Sequence, residues 1–191
     1  MYLVYSNRAG ASLSWNQADI PGLLAKLYTS IRQIRQDLPE ITALAEKVAE
    51  HHTLEFPALD EIWTLAAHLQ SRLLIHLDKE ENMIYPRIER NYNALDYAES
   101  FSLESLTTCL DFCQHEHSEI SDSLSAIRNT TDGFKLPMGA CSSWREMYRR
   151  LENLEIELRR NFELEEKVLL PLAIQHENER NRASRMASGR S

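Results

Sequence analysis

The sequence predicts an all-helical protein, an antiparallel four-helix bundle. Three observations carry that expectation. Glycine and proline are scarce, five and six of 191 residues, while Leu, Glu, Arg and Ala, which cost little in a helix, are abundant. Four long segments place apolar residues at three- and four-residue spacings, with polar residues opposite. One segment is also repeated: His76 through Glu80 to Pro86 aligns with Asn161 through Glu165 to Pro171, offset by 85 residues at each landmark (76 to 161, 80 to 165, 86 to 171).

Residues 1–18 show no clear period and read as a poorly ordered lead-in. Asp19 can cap a first helix with Pro21 in its first turn; its stripe is Ile20, Leu24, Leu27, Ile31 and Ile34. Pro39 should break or restart it, so the stripe Ile41, Leu44, Val48, ending at His51 and His52, is expected as an extra short helix. Pro57 opens the next long helix, with Leu59, Ile62, Ala66, Leu69, Leu73, His76, Glu80 and Met83 on one stripe, closed near Pro86. A polar connection follows over residues 89–101. The third long helix carries Leu106, Leu110, Cys113, His117, Ile120, Leu124 and Ile127, and ends at Asn129 to Gly133. Ser142 or Ser143 caps the last, with Glu146 placed for a capping box; its stripe is Trp144, Met147, Leu151, Leu154, Leu158, Asn161, Glu165 and Val168. The bundle is thus expected over residues 19–176, and 177–191 as a disordered basic tail.

Composition excludes several classes. A net charge of −8 argues against a nucleic-acid surface. No apolar run nears the roughly 20 residues needed to span a bilayer. The first residues lack a basic start followed by an apolar core, so no signal peptide is expected. Three cysteines, Cys109, Cys113 and Cys141, without a CxxC pair fit a reduced, cytoplasmic setting. Cys109 and Cys113 share a helical face and read as small buried hydrophobes.

The chemistry lies on the core stripes. His76 and Glu80, four apart, share a helix face, and an imidazole and a carboxylate one turn apart make a half-site for a transition metal. Glu165 repeats Glu80, while Asn161 stands where the second imidazole would be. A core histidine alone is more often a packed residue than a ligand. Two core glutamates shift the balance, because an ionised carboxylate in a core is costly unless paired or bound to metal. The competing reading is that the stripes drift by one position and both glutamates face water; Glu81 and Glu166 fit that solvated role better.

With these motifs the chain resembles the hemerythrin-like family, whose signature is a His, a Glu four residues on and a Pro ten residues after the His, given twice in a four-helix bundle. His76, Glu80 and Pro86 match fully; Glu165 and Pro171 match without the His. Over about residues 20–176 the closer resemblance is to the di-iron proteins for repair of iron centres. It runs through Leu38-Pro39-Glu40, Lys47-Val48 before His52, Glu116-His117-Ser118-Glu119, and Ala140-Cys141 through Trp144 to Tyr148. The resemblance implies metal ligands at His52, His76, Glu80, His117 and Glu165, with the two carboxylates bridging two irons. Two further histidine positions of the family are filled otherwise, by Ile31 or Ile34 and by Asn161, and the family's short Cys-containing N-terminal module is not matched.

With that ligand set incomplete, a single iron is expected rather than two, or none. His51, His115 and Glu119 are nearby candidates for substitutes, though His115 points about 160° away from His117 on an ideal helix. His68 is expected on the rim and His176 exposed. The function implied is non-haem iron binding in nitric oxide or oxidative stress response or in iron–sulfur cluster repair, with O2 or NO as a diatomic ligand. A protein partner or a second copy is left open. The alternative is a metal-free bundle serving as an interaction or regulatory module. No ExxH motif of the ferritin-like oxidases occurs, nor any nucleophile–base pair or phosphate-cradling loop, so no enzyme assignment follows.

Overall fold

The computed structural model describes residues 3–6, 12–15, 19–93 and 105–188. The elements are strands β1 (Leu3–Ser6) and β2 (Ser12–Trp15), helices α1 (Ile20–His52) and α2 (Ala58–Lys79), a π-helical turn π1 (Glu80–Ile84), helices α3 (Tyr85–Asn93), α4 (Leu106–Thr130) and α5 (Ser142–Leu164), a second π turn π2 (Glu165–Leu169), and α6 (Leu170–Ser188). Helix dominates, as the apolar periodicity requires, and the architecture is that of an all-α helical bundle.

The chain divides into two compact units. One comprises Thr29–Asp78 and Glu116–Arg160, the other Met1–Tyr28, Lys79–His115 and Asn161–Ser191. The first unit is by itself an antiparallel four-helix bundle, legible from its cross-helix bonds. Arg35 meets Asp78 and Thr42 meets Gln70, so the residue numbers of α1 and α2 run in opposite directions. Arg72 meets Glu119 between α2 and α4. Arg128 meets Glu155 between α4 and α5. Ser30 meets Glu157, and Arg150 meets Asp37 and Glu40, closing the ring between α5 and α1. Its core is the expected stripes, including Ile31, Ile34, Leu69, Leu73, Leu151 and Leu158. Glu155 is buried there but chelated by Arg128 at 2.8 and 3.1 Å and held by Arg159 at 2.9 Å, which offsets its desolvation.

Five expectations are corrected. Pro39 lies inside one continuous α1, so there is no extra short helix after it. A helix-interior proline costs about 3 kcal/mol, but Ile31, Ile34, Leu38, Ile41, Ala45 and Val48 keep one buried stripe in step across it, and packing of that face outweighs the local penalty. The lead-in contains an antiparallel strand pair, with Leu3 opposite Trp15 and Ser6 opposite Ser12; Val4, Tyr5 and Trp15 are strand-favouring residues. The expected tail is helical through Ser188. Its first turns are tied down in the second unit, where Glu177 accepts from the Leu106 backbone N–H, Arg180 bonds Asn91 and His176 stacks on Tyr92 at 5.5 Å; His176 is therefore half-buried rather than exposed. Finally, Pro86 does not close its helix, because a π turn carries the chain past it. The C-terminus of α4 behaves as read: Gly133 has φ +70° and its N–H reaches back to the Arg128 carbonyl at 2.8 Å. The polar connection falls, from residue 94 on, outside the described residues.

The repeat noticed in the sequence is also a repeat of backbone. In π1 the Tyr85 N–H bonds the Glu80 carbonyl, and in π2 the Leu170 N–H bonds the Glu165 carbonyl, both i to i−5 bonds placed just before a proline. Each π turn begins on one of the two glutamates. The wider turn inserts a residue, so the stripe steps round: Ile84, Tyr85 and Ile88 are buried while Met83 is 64 % exposed. Such turns concentrate at functional sites.

Leu73 is fully buried, and Leu73→Ala should cost about 2–5 kcal/mol in urea denaturation. The solvent-exposed Leu54 serves as control: Leu54→Ala should stay within about 0.5 kcal/mol of the parent.

Candidate metal centre

Helix α2 runs without interruption into π1, so His76 and Glu80 keep the one-turn spacing that the helix imposes. On α4, in the same unit as His76, His117 meets His76 edge to face at a ring-centroid distance of 4.9 Å. All three side chains are buried, each 2 % exposed. One ligand atom from each of His76, Glu80 and His117 lies within 4.8 Å of the other two. Ligand atoms around one ion, each about 2.0–2.2 Å from it, approach that separation. Among the described residues this is the one group of three or more such side chains drawn together.

His76 is oriented by a residue the sequence reading placed only within a motif. Its Nδ1–H donates to Glu116 Oε2 at 3.0 Å, which fixes the tautomer and leaves Nε2 as the basic nitrogen. Glu116 precedes His117 on α4, so one helix supplies both the orienting carboxylate and a second imidazole. The signal for Glu116 was its position beside a core histidine, on the flank that faces a neighbouring helix.

In the other unit, Glu165 is 2 % exposed and its Oε1 accepts a hydrogen bond from the Tyr85 hydroxyl. Tyr85 is buried as well, and the ring of Tyr28 meets it edge-on at 5.2 Å and 89°. Burial, and then the nearby charges of Glu165 and Glu80, hold the Tyr85 phenol well above its ordinary range. Sequence reasoning missed Tyr85 because an uninterrupted 3.6-residue period puts Met83 on the inner face; only the π turn brings Tyr85 there. Glu80 and Glu165 are each buried while Glu81 and Glu166 beside them are half-buried, so the stripes do not drift and the inner positions belong to Glu80 and Glu165.

His52 is not brought to this group. In the first unit the pairs Arg35–Asp78 and Thr42–Gln70 place α1 residues 36 and 37 level with His76. His52 lies about 15 residues further along, roughly 23 Å at 1.5 Å per residue. It half-covers Trp144 instead, at 5.4 Å. The resemblance transferred His52 by order along the chain, and the antiparallel turn between α1 and α2 carries it to the opposite end of that unit. His51, with Nδ1 bonded to the Lys47 carbonyl at 2.8 Å, is at the same end. His68 and His115 are exposed. Ile31 and Ile34 are buried in α1, and Asn161 is buried one turn before Glu165.

No family model matches the chain. It is similar to the iron–sulfur cluster repair protein YtfE of Edwardsiella ictaluri (strain 93-146), 30 % identical over 161 residues, covering 84 % of this chain and 68 % of the relative. It is likewise similar to the iron–sulfur cluster repair protein DnrN of Neisseria gonorrhoeae, 30 % identical over 135 residues, covering 71 % of this chain and 78 % of the relative. The chain belongs to the hemerythrin-like iron–sulfur cluster repair family. YtfE of Yersinia pestis matches at 28 % over 171 residues, 87 % of this chain and 72 % of that one. Membership in this family agrees with the helical architecture and with the candidate metal-binding group His76, Glu80 and His117. Among the described residues no helix is long and apolar enough to cross a membrane.

The buried phenol gives a direct test. In the metal-free protein Tyr85 should stay protonated when the exposed tyrosines ionise near pH 10, and ionise only as the fold opens. Its folded pKa is raised, so the stability tied to it is complete below pH 10 and is lost as pH rises above that value. Ultraviolet titration of the parent and Tyr85→Phe checks this: the variant should lack the late, unfolding-linked phase.

Proposed function

We propose that this chain is a non-haem iron protein acting in iron–sulfur cluster repair, with iron held by His76, Glu80 and His117 and with Glu165 as the second carboxylate of the site. One observation carries the reading: two buried imidazoles and one buried carboxylate converge. Two histidines and a carboxylate are the donor set that non-haem ferrous iron takes while leaving positions open. The names of the relatives supply the biological setting, and damaged iron–sulfur clusters are the substrate that setting implies. A single iron is favoured over two, because Ile31, Ile34 and Asn161 stand where further imidazoles would be needed, and His52 lies too far along α1 to contribute.

The residues divide the work. Glu116 keeps His76 in the tautomer whose Nε2 can bind metal. The apolar surroundings exclude water and strengthen every charge interaction at the site. Bound iron would supply a redox-active Lewis acid able to take a diatomic ligand such as O2 or NO. A reduced, cytoplasmic setting suits the free thiols of Cys109, Cys113 and Cys141. The second reading, a metal-free interaction module, draws on the buried Ile31 and Ile34, which fill their stretch of α1 with apolar packing.

Anaerobic thermal melts with Fe(II) and with chelator separate the two. Ferrous iron at about 100 times its dissociation constant should add roughly 2.7 kcal/mol to the parent. The gain should vanish in His76→Ala and Glu80→Gln, shrink in Glu116→Gln, and persist in His52→Ala. Equal melting points of the parent with iron and with chelator, together with Glu80→Gln at least as stable as the parent, would establish the metal-free reading.

A further inference from the structure

We propose that the cleft between the first turns of α1 and the end of α3 is a binding site for a small organic cation, a primary ammonium on an apolar stem, with Glu89 as its anionic partner. It lies outside the iron reading and needs no metal.

The cleft belongs to one unit and measures about 240 Å³. Helix periodicity builds both of its walls. Ile20, Leu24 and Tyr28 recur every four residues on α1, and Glu89, Tyr92 and Asn93 stand at i, i+3 and i+4 on α3. Ile20 and Leu24 are buried and supply apolar surface. Tyr28, Glu89 and Tyr92 are half-buried. Both rings are held from behind the cleft's own lining, Tyr28 edge to face with Tyr85 at 5.2 Å and Tyr92 against His176 at 5.5 Å.

Charge decides what such a cleft can take. The guanidinium groups nearest Glu89 in sequence and packing are engaged elsewhere. Arg87 meets Glu177 at 3.9 Å, Arg90 Nε donates to the Pro86 carbonyl at 3.3 Å, and Arg180 bonds Asn91 Oδ1 at 2.8 Å. His176 is no substitute: burial, and then the charge of Arg180, push its pKa below the ordinary value, so the ring is neutral at pH 7. The Glu89 charge is felt instead by the Tyr28 hydroxyl, whose pKa is raised by burial and then by Glu89 and Glu81. An anion would be repelled here, and a neutral apolar molecule would strip water from the carboxylate without replacing it. An ammonium on a hydrocarbon stem answers both needs. The stem covers Ile20 and Leu24, and the three N–H donors find acceptors among Glu89, the tyrosine hydroxyls and the Asn93 amide oxygen that line the cleft. A free amine and a lysine side chain of another protein present this same chemistry.

The test is an amide NMR titration of the metal-free full chain with phenethylammonium, with 2-phenylethanol as the same stem without charge, and with Nα-acetyl-lysine methylamide. Phenethylammonium should shift the amides of residues 20–28 and 89–93 saturably. It should bind about 10-fold more tightly than the alcohol, and lose about 10-fold in Glu89→Gln, as expected for a hydrogen bond to a charged group. Glu61→Gln, an exposed carboxylate on α2 in the other unit, should leave binding unchanged. The lysine derivative binding as tightly as phenethylammonium, or more so, assigns the cation to a protein side chain; weaker binding assigns it to a free amine. If phenethylammonium gives no saturable shift at these residues, if the alcohol binds equally well, or if Glu89→Gln binds like the parent, the proposal falls. The comparison of amine with alcohol uses the parent alone, so it decides the matter even if the variant does not fold.

Discussion

Two carboxylates in an apolar interior are the constraint to which the rest of this structure answers. An ionised Glu removed from water loses solvation that no hydrocarbon neighbour returns. Leucine at positions 80 and 165 would pack the same stripes without that cost. The glutamates instead draw polar groups in after them. His76 shares the Glu80 face, His117 packs against His76, Glu116 orients His76, and Tyr85 bonds Glu165. Each is a group that would be expensive to bury alone. Two of these contacts are hydrogen bonds, His76 to Glu116 and Tyr85 to Glu165.

Glu155 shows how the same protein handles a buried carboxylate when only the fold is at stake. It is met by two guanidinium groups, from Arg128 and Arg159, in a pair that is permanently charged and fully local to one unit. Glu80 and Glu165 keep different company. Imidazoles and a phenol are neutral at ordinary pH, can give up or share protons, and leave room for a cation from outside. The contrast sets Glu155, held by guanidinium partners, apart from Glu80, which lies with the metal-competent side chains His76 and His117.

Much of this was legible in the sequence. The helical class, the repeat at 85-residue spacing, the burial of His76, Glu80, His117 and Glu165, and the stop at Gly133 follow from spacing and residue chemistry that act locally. What failed needed information the spacing does not hold. Pro39 was read through its intrinsic cost, yet an unbroken buried stripe on both sides decides the outcome. His52 was placed by its order in a family pattern, yet its distance from His76 is set by an antiparallel connection. The strand pair before α1 is too short for periodicity to reveal, and α6 is fixed by contacts such as Arg180 with Asn91, between residues 89 positions apart. Tyr85 and Met83 exchanged roles because one hydrogen bond spans five residues instead of four.

That five-residue span makes each π turn a phase shift. One residue corresponds to about 100° of helix rotation, so the sequence before Glu80 and the sequence after it are written in two different angular frames, as are those on either side of Glu165. A single deletion between 81 and 84, harmless to helix content, would merge the frames and swing every later side chain of α3 by that angle. Tyr85 would leave the interior while Pro86 and the rest of the segment stayed helical. Which side chains this chain turns inward is therefore set by its length at two points as well as by its residues.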